Sequence, residues 1–589
     1  DERTVEIQLT ADMLDGRNTT LFRFSRPSDA SDPSELPAKC DVRLAVRVDI
    51  EDRNFHTQTQ RNGGAEHHFT AHCRPLENEA GFIFDPAPDR QLRVYSDKGF
   101  YHQQIEWCEN IAHPVEQQRA QVGSGDAFSP GWFDIPVSRG ETTSVILCAD
   151  LVNPSAELIE SVIANRVVEN QITYKHAQLA DADSFGRQLA LAARQFVVRR
   201  GSGKTVIAGY PWFLDWGRDT MIAARGLLAA GLVSDVTQLL LNFGRFVENG
   251  TMPNTIHGED ASNRDTSEAP LWYGIVAEEA AALAGESLYT LPVDGRGRAI
   301  ANVLRDIAAG YLRGTPNGIH VDRASGLVWS PSHFTWMDTN HPAATPREGY
   351  PVEIQALWIR LLRQLARLGV KGEGENWDVL ADRAEQSFEK LYWLSERGWL
   401  ADLLIAPRGR PASEAVLDDA LRSNGLLAIS LGLVSGDKAR RFVEAAQRYL
   451  VVPGGLRSLA PLPVSVPPAV HAHGRLLNNP LEPYFGHYQG DEDTQRKPAY
   501  HNGTAWTWTF AVFCEALAEA WEFAPVAVEA AQAYLGSMER LLRGGCLGQI
   551  PEILDGDAPH VQRGCDAQAW GVTEALRVWK RVQTEAQRK

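Results

Sequence analysis

The sequence predicts a mainly α-helical protein in which an N-terminal β-sandwich domain, residues 1–150, precedes a helical domain, residues 183–589. A linker helix is expected between them, over residues 151–182. Two observations predict this division. In the first 150 residues apolar side chains recur with a period of two, which is typical of half-buried strands. Further along the chain they recur at every third or fourth position, which is typical of helices that bury one face.

The strand prediction depends mainly on residues 42–50, where every even-numbered residue is apolar and three of the four odd-numbered residues are charged. Shorter alternations lie over residues 5–9 and 142–148. Pro and Gly punctuate the intervals, for example at residues 62–64 and 130–131. Several short strands separated in this way indicate a sandwich of two sheets.

The helical region shows about twelve helical stretches and no convincing strand pattern. A further helix is expected over 155–180 as the link. Twelve helices joined in sequence suit six helical hairpins closed into an (α/α)6 barrel, whereas the alternative, a solenoid, would need a fixed sequence period that is not seen. The twelve stretches lie near 183–200, 219–230, 234–248, 269–284, 297–313, 352–368, 376–394, 418–433, 437–450, 503–522, 526–543 and 566–583.

Charge and composition exclude several classes of function. The 589 residues include 75 acidic and 58 basic side chains, a net charge of −17, which argues against a nucleic-acid partner. No apolar run reaches the ~18 residues of a membrane span, so no membrane partner is expected. The seven scattered cysteines, without a CxxC pair, suit a reducing, cytoplasmic compartment. The chain begins at Asp1 and not at Met, which leaves an upstream segment open, and the oligomeric state is not predicted.

Four predicted loop segments combine aromatic residues with acids: 209–220, 329–338, 484–506 and 550–570. Taken alone, Asp219 is equally well explained as the cap of the helix that follows it. The recurrence of the combination in four loops favours a sugar pocket instead. Aromatic faces stack on the C–H faces of sugar rings, and carboxylates and guanidinium groups bond the hydroxyls.

Other chemistries find no support in the motifs. The segment Gly201 to Thr205 looks like a phosphate loop, but the first glycine of that motif would be residue 198, which is Val198, so a turn is expected. HExxH, GxSxG and metal-ligand spacings are missing from the sequence, so no metal or cofactor is expected. Hydrolysis by a pair of carboxylates needs none of these groups.

The motifs as a set resemble those of the bacterial glycogen debranching enzymes, which are similar to the amylo-α-1,6-glucosidase half of the eukaryotic bifunctional enzyme. They occur in the family's order at residues 209–220, 335–338, 351–358, 499–504 and 551–570. The resemblance implies a β-sandwich followed by a catalytic (α/α)6 barrel. It also implies inverting hydrolysis of α-1,6-glucosidic branch points in glycogen or a limit dextrin, and no residues for glucan transfer.

The same resemblance implies roles for individual residues. Asp338 corresponds to the general acid and Glu552 to the general base, with Asp555, Asp557 and Asp566 as alternatives for the base. Inversion would need a protonated acid, an ionised base and carboxyl groups ~6.5–9.5 Å apart. Burial against Trp336 and neighbouring acids is expected to favour the protonated form of Asp338.

Substrate binding is expected from the surrounding motif residues. Arg218 and Asp219 correspond to the pair that grips the hydroxyls of the terminal glucose. Where the family usually has Asp before a Leu-Trp pair this chain has Glu268, so a contact at the rim is expected to differ. The residues expected to line the same subsite are Trp216, Trp336, His501, Asn502 and Trp570, with Asn254, Trp272 and Glu353 at its rim or behind it.

Two alternatives to glycogen debranching stay open. One is an inverting α-glucosidase of the same clan with another substrate, whose choice would be set by residues 249–268 and 460–497. The other is a glucan-binding protein without catalysis. Comparing hydrolysis of a panel of oligosaccharides distinguishes the first alternative from glycogen debranching. Binding of glycogen without turnover would indicate the second.

Overall fold

The computed structural model describes residues 3–29, 34–54, 57–118, 121–201, 203–256, 260–372, 374 and 376–588. The chain divides into two compact units, Asp1–Glu169 and Asn170–Lys589. The first unit is rich in strands and the second is mainly helical, which confirms the predicted order of the two structural classes.

The N-terminal unit contains two antiparallel sheets. One has six strands in the order β1-β2-β9-β6-β5-β4, and the other has three in the order β3-β8-β7. The strands are β1 Gln8–Met13, β2 Thr19–Ser25, β3 Arg43–Arg47, β4 Cys73–Pro75, β5 Ala80–Ala87, β6 Arg90–Ser96, β7 Phe100–Ala112, β8 Ser124–Pro136 and β9 Thr142–Cys148. The helices of this part are α1 Gly63–Ala71, α2 Pro114–Gln118 and α3 Ala156–His176, where α3 includes the point at which the chain passes into the second unit.

One apolar core is shared by the two sheets. It contains Phe82, Phe84, Val94 and Val145 from the larger sheet and Phe128, Phe133 and Ile135 from the smaller one. The predicted alternation at 42–50 is present in β3, where the side chains of Leu44 and Val46 are half-buried between exposed arginines. The alternation predicted at residues 5–9 is displaced, because the strand begins at Gln8. As an edge strand that exposes most of its residues, β1 leaves only a weak apolar pattern.

The second unit contains thirteen α-helices among its described residues, and each of the twelve predicted stretches contains one. The stretch at 418–433 is mostly irregular and holds only five helical residues, and the predicted helix at 526–543 ends in a 3-10 segment, Ser537–Arg543. The helices are α4 Ser184–Arg194, α5 Gly217–Ala229, α6 Val233–Arg245, α7 Ala269–Ala284, α8 Ile300–Arg313, α9 Val352–Arg367, α10 Trp377–Tyr392, α11 Leu426–Ser430, α12 Gly436–Tyr449, α13 Lys497–Tyr500, α14 Thr507–Ala520, α15 Pro525–Gly536 and α16 Ala569–Arg588.

Alternate helices are neighbours. Helix α5 packs against α7 and α16, α7 against α9, α9 against α11, α11 against α14, and α14 against α16. Their sequences fit this placement, since α5 and α14 bury nearly every residue, whereas α6, α8 and α12 bury one face.

The expectation that this region lacks strands was wrong. Short strands of two to four residues pair the loops to one another, and they escape sequence patterns because two residues cannot display an alternation. They are Val197–Arg200, Gly203–Val206, Gly209–Tyr210, Asp215–Trp216, Thr255–Ile256, His320–Val321, Val328–Trp329, Gly349–Pro351, Trp393–Leu394, Trp399–Leu400, Leu403–Ile405, Val416–Asp418, Val451–Val452, Gly455–Arg457, His471–Ala472, Arg475–Leu476, Ala505–Trp506, Ile553–Leu554, Gln562–Arg563 and Ala567–Gln568.

Three further expectations from the sequence concern the turn near Gly201, the state of the cysteines and membrane-spanning helices. The expected turn near Gly201 joins the hairpin strands Val197–Arg200 and Gly203–Val206, while Ser202 itself lies outside the described residues. All seven cysteines are free thiols. In the described part of the chain, no helix combines the length and the apolar character that crossing a membrane requires.

Candidate active site

The motif residues lie at the N-terminal ends of four of these helices or in the loops before them. Arg218 and Asp219 stand in the first turn of α5, Asp338 in the loop before α9, His501 shortly before α14, and Glu552 in the loop before α16. Because these four helices are among those that contact one another in turn, their N-terminal loops are brought to the same region of the unit.

A short strand pair fixes the approach to α5. Strand Asp215–Trp216 pairs with Thr255–Ile256, and the N–H of Gly217 donates to the carbonyl of Asn254 over 2.9 Å. A Cβ atom at Gly217 would lie 2.2 Å from the carbonyl oxygen of Pro253, so only glycine fits at this position. The half-buried Trp216 is thereby held directly before Arg218 and Asp219, the candidate substrate-binding pair of α5.

Arg218 binds the loop that carries Asp338. Its Nη2 donates to Oδ2 of Asp338 over 3.1 Å, and its Nη1 donates to the carbonyl of Thr335 over 3.1 Å. The guanidinium is buried, whereas the carboxyl side chain of Asp338 is 30 % exposed. The sequence predicted acidic neighbours for Asp338 but did not predict this cation as its direct hydrogen-bond partner.

Asp219 lies beside the same guanidinium, with its Oδ2 3.6 Å from Nε of Arg218. Burial raises the pKa of Asp219 to about 6. The positive charge of Arg218 opposes this rise, and the negative charge of Asp338 adds to it. Asp338, Arg218 and Asp219 therefore form one electrostatically coupled group.

Glu552 is almost fully buried and is held by several donors. The hydroxyl of Tyr500 donates to Oε1, the backbone N–H of Cys565 donates to Oε2 over 3.0 Å, and Nε2 of Gln568 lies 3.5 Å from Oε1. Burial raises the pKa of Glu552 to about 7, although the bonds from Tyr500 and Cys565 hold it down. The charge of Asp219 contributes to the rise, so Asp219 is coupled to Asp338 and to Glu552.

The alternative acids have other surroundings. Asp555 is buried, accepts the N–H of Tyr488 over 2.7 Å and lies 3.0 Å from Nη2 of Arg563. Asp557 is 41 % exposed and accepts the hydroxyl of Tyr484 over 2.8 Å. Asp566 is half-buried. Asp555 is thus neutralised by an arginine, and Asp557 faces solvent.

An aromatic cluster surrounds Trp336. Its ring centroid lies 5.0 Å from Trp506, 5.1 Å from Trp508, 5.4 Å from His501 and 6.5 Å from Trp570, all in edge-on arrangements. Trp336, His501 and Trp570 are each at most 3 % exposed. These rings therefore pack the floor of the region and hold the loop that ends in Asp338.

His501 and Asn502 differ in their hydrogen bonding. Burial lowers the pKa of His501 well below its usual range, and its Nδ1 lies 2.7 Å from the hydroxyl of Thr339. The amide of Asn502 is bonded on both sides: Oδ1 accepts from Arg422 over 2.8 Å, and Nδ2 donates to the carbonyls of Ala344 and Pro498. Asn502 thus fastens its loop to neighbouring segments.

Buried polar atoms without a hydrogen-bond partner recur in these same segments. Such atoms are rare in folded proteins, and their recurrence in the segments of one candidate site indicates a ligand rich in hydrogen-bonding groups. They include Asp219 Oδ2, Thr220 Oγ1, Asn254 Oδ1, Thr255 Oγ1, His501 Nε2, Trp508 Nε1, Gln568 Oε1 and Trp570 Nε1. Within the described residues, no group of three or more His, Cys, Asp or Glu side chains is placed to hold a metal ion.

Comparison with known proteins identifies the family. The family described as "Amylo-alpha-1,6-glucosidase" matches residues 191–577. The chain belongs to this family. A second family, "Glycogen debranching enzyme N terminal", matches residues 2–144. The resemblance identified from the motifs is therefore confirmed.

The individual relatives of this amylo-alpha-1,6-glucosidase family member are distant. The glycogen debranching enzyme of Saccharomyces cerevisiae is 22 % identical over 435 residues, which cover 56 % of this chain and 27 % of the yeast protein. Periplasmic trehalases of Salmonella paratyphi B and Salmonella newport are each 29 % identical over 127 residues, covering 20 % of this chain and 21 % of the trehalase. The chain thus spans about a fifth to a quarter of the length of these relatives.

Sequence reasoning placed Glu268 at the rim of the subsite, which is not where the structure has it. Glu268 is buried, accepts the backbone N–H of Trp336 over 2.6 Å and lies 3.4 Å from Nε1 of Trp272, so it supports the Asp338 loop from below and is not a rim residue. Burial raises its pKa to about 7, with the charge of Glu353 adding to the rise. Glu353 is itself buried in an ion pair with Arg347.

Sequence reasoning also missed a set of buried charges beneath the loops. Arg347 bonds Glu353, Asp402 over 2.9 Å and the hydroxyl of Thr335 over 3.0 Å. Arg422 donates to the carbonyl of His501 over 2.6 Å and lies 3.7 Å from Asp402. Arg347, Asp402 and Arg422 stand outside the recognisable motifs, so no spacing rule would have found them.

Tyr500, the donor to Glu552, was within a recognised motif but was given no role. The signal was its place directly before His501 in a segment already assigned to the pocket.

Proposed function

We propose that this protein hydrolyses α-1,6-glucosidic branch points of glycogen or a limit dextrin by an inverting acid/base mechanism. The observation that carries the proposal is geometric: the buried guanidinium of Arg218 bonds Asp338 over 3.1 Å and lies 3.6 Å from Asp219, while Glu552 is buried and held by Tyr500 and Cys565. Family membership supports the same chemistry. The partner is a neutral branched α-glucan, for which the net charge of −17 is no obstacle.

In this mechanism Asp338 donates a proton to the glycosidic oxygen that leaves. Glu552 accepts a proton from a water molecule, whose oxygen attacks the anomeric carbon from the opposite side. The C–O bond to the leaving chain breaks as the bond to water oxygen forms, and free glucose with inverted configuration results. Arg218 and Asp219 bond the hydroxyls of the terminal glucose, and no metal or cofactor takes part.

The aromatic residues serve this subsite in two ways. Trp216 is half-buried and is placed to stack on the sugar. Trp336, Trp570 and Asn502 are almost fully buried, so they shape the floor of the subsite and keep its loops in place. The unpartnered Nε2 of His501 and Nε1 of Trp570 are candidates for bonds to sugar hydroxyls.

We further propose that the helical unit is an (α/α)6 barrel and that the strand-rich unit is a β-sandwich. The closed series of helix contacts, from α5 through α7, α9, α11, α14 and α16 back to α5, supports the barrel. The common core of two antiparallel sheets supports the sandwich. Domain limits of 1–150, 151–182 and 183–589 follow from this proposal. The seven free thiols suit a reducing compartment, and we place the protein in the cytoplasm.

The decisive assay measures glucose released from a phosphorylase-limit dextrin. Asp338→Asn and Glu552→Gln are expected to lose ~100- to 10,000-fold in kcat, since each removes one proton transfer. Asp557→Asn is the matched control and should keep its activity. Full activity in either of the first two variants would remove that residue from its role.

Two further readouts separate the alternatives. Proton NMR of the first product formed should show β-glucose, as inversion of an α-link requires. A panel of maltooligosaccharides, isomaltooligosaccharides and trehalose tests the other substrates of related glucosidases, and binding of glycogen without release of glucose would indicate a glucan-binding protein. Part of residues 249–268, which were expected to set this choice, lies outside the described residues at 257–259.

A further inference from the structure

A second cavity lies in the helical unit, apart from the motif residues. Its volume is about 680 Å3, which is within the range of small-molecule sites. It is lined by the middle of α7, by α9 from its second turn to its end, by the middle and later part of α10, by residues 431–435 and by the start of α12. Arg363 stands eleven residues beyond the first residue of α9, about 16 Å along the helix from the Asp338 loop.

The charged side chains of this cavity balance one another. Four are cationic and four are anionic: Arg360, Arg363, Arg367 and Lys438, and Glu278, Asp382, Glu385 and Glu389. Charges of opposite sign on different walls of the cavity form ion pairs. For example, Nε of Arg360 lies 2.7 Å from Oε2 of Glu278. A phosphate or another anion would have to displace these carboxylates, so the lining favours a neutral ligand.

The ion pairs also fix many hydrogen-bonding groups in place. Arg363 lies 2.7 Å from Asp382 and 2.8 Å from Glu385, and Lys438 lies 3.1 Å from Glu389, while all of these side chains keep partial exposure to solvent. Ordered donors and acceptors side by side suit hydroxyl groups, each of which donates one hydrogen bond and accepts others.

One tryptophan completes the lining. Trp393 is half-buried at the cavity wall, with Nζ of Lys438 5.9 Å and the guanidinium carbon of Arg441 5.5 Å from its ring centroid. A sugar ring has an apolar C–H face and polar hydroxyl groups. An aromatic ring can pack against the first while fixed polar side chains bond the second. The exposed amide of Gln386 adds a further polar contact.

We propose that this cavity is a second binding site for a neutral α-glucan chain, separate from the candidate catalytic residues. It would hold an outer chain of a branched polymer while another branch occupies the catalytic cleft. The choice of α-glucan among neutral polyhydroxy ligands rests on the proposed function, whereas the neutrality of the ligand follows from the cavity itself.

The test counts binding sites in the full chain. Calorimetric titration of the Asp338→Asn protein with maltoheptaose should show two classes of site, and adding Trp393→Ala should remove one of them. Gln386→Ala, at an exposed position where folding is not at risk, should weaken that same site by about 3- to 10-fold. Trp132→Ala, a half-buried tryptophan of the N-terminal unit, is the matched control and should leave both sites intact.

Kinetics give an independent readout in the protein with Asp338 intact. Trp393→Ala should lower kcat/KM for limit dextrin by about 5- to 30-fold, and should leave kcat/KM for a short branched oligosaccharide within twofold. A single class of site in both titrated proteins would overturn the proposal, as would displacement of maltoheptaose from the second site by inorganic phosphate. If the intact protein released no glucose from limit dextrin but still showed two classes of binding site, the proposed function would be refuted and the second site would stand.

Discussion

Replacing Tyr500 by phenylalanine removes one hydroxyl group and keeps the ring, which packs 4.9 Å from Trp506 and 4.6 Å from His501. That hydroxyl donates to Oε1 of Glu552, whose pKa is about 7 in the intact protein. The hydrogen bond favours the ionised carboxylate, because an ionised oxygen is the stronger acceptor. The substitution therefore raises the pKa of Glu552.

The size of the rise can be worked from the bond that is lost. A hydrogen bond to a charged group contributes ~1.5–3 kcal/mol, and 1.36 kcal/mol corresponds to one pKa unit. The pKa of Glu552 should then rise from about 7 by roughly one to two units. As the general base must be ionised, activity is present above this pKa and is lost as the pH falls through it. At pH 7 the intact protein has about half of Glu552 ionised, so the variant should lose ~5- to 50-fold in kcat/KM and should recover most of it at alkaline pH.

The assay is the pH dependence of kcat/KM with limit dextrin, which reports the ionisations of the free enzyme. Tyr484→Phe is the matched control, because it removes a hydroxyl that donates to Asp557 over 2.8 Å. In Tyr500→Phe the acid limb of the pH profile of kcat/KM should move to higher pH. In Tyr484→Phe it should stay in place. The opposite pattern would assign the base to Asp557. An equal loss at every pH in Tyr500→Phe would refute the link between this hydroxyl and the ionisation of Glu552.

Two predictions concern buried charges. Glu515→Ala should lower the free energy of unfolding by ~3–5 kcal/mol, because Arg577 and Arg581 lose the buried carboxylate that they share. Urea unfolding measures this, with the exposed Glu539→Ala as a control that should change by less than ~1 kcal/mol. Glu268→Gln should lower the free energy of unfolding by ~1–3 kcal/mol and should also lower kcat. The new side-chain NH2 group would face either the backbone N–H of Trp336 or the indole N–H of Trp272, so two donors would meet without an acceptor. Unchanged unfolding and kcat in this variant would show that Glu268 does not support the loop.

The helices could be predicted because most of them bury a stripe of regular period. The exception at 418–433 has an identifiable reason. The side chains of Arg422 and Asn424 are buried and bond to other loops, as Asn424 does to Asp402 over 2.8 Å. Once such tertiary bonds fix a segment, its local helical pattern no longer decides its structure, and only the five residues Leu426–Ser430 remain helical.

The candidate site could be predicted only as far as its motifs reach. Asp338, Glu552 and the Arg218–Asp219 pair were found because each lies in a dense local motif. The exposure of Asp338 and the burial of Glu552 depend on neighbours from other loops, which spacing does not show. For this reason the rise in the pKa of Glu552 to about 7, which its burial causes, could not be predicted from the motifs.

The buried charges explain how two distant loops keep one geometry. Arg347 holds the hydroxyl of Thr335, three residues before Asp338, and also bonds Asp402.

From Asp402 the series continues to Arg422, 3.7 Å away, which donates to the carbonyl of His501. His501 follows Tyr500, the donor to Glu552. The segments that carry the candidate acid and the candidate base are therefore linked through one series of buried ion pairs and hydrogen bonds, in addition to the electrostatic interaction of both residues with Asp219. Because inversion requires a fixed separation of the two carboxyl groups, rigid buried ion pairs suit this task better than packing contacts that a loop motion can exchange.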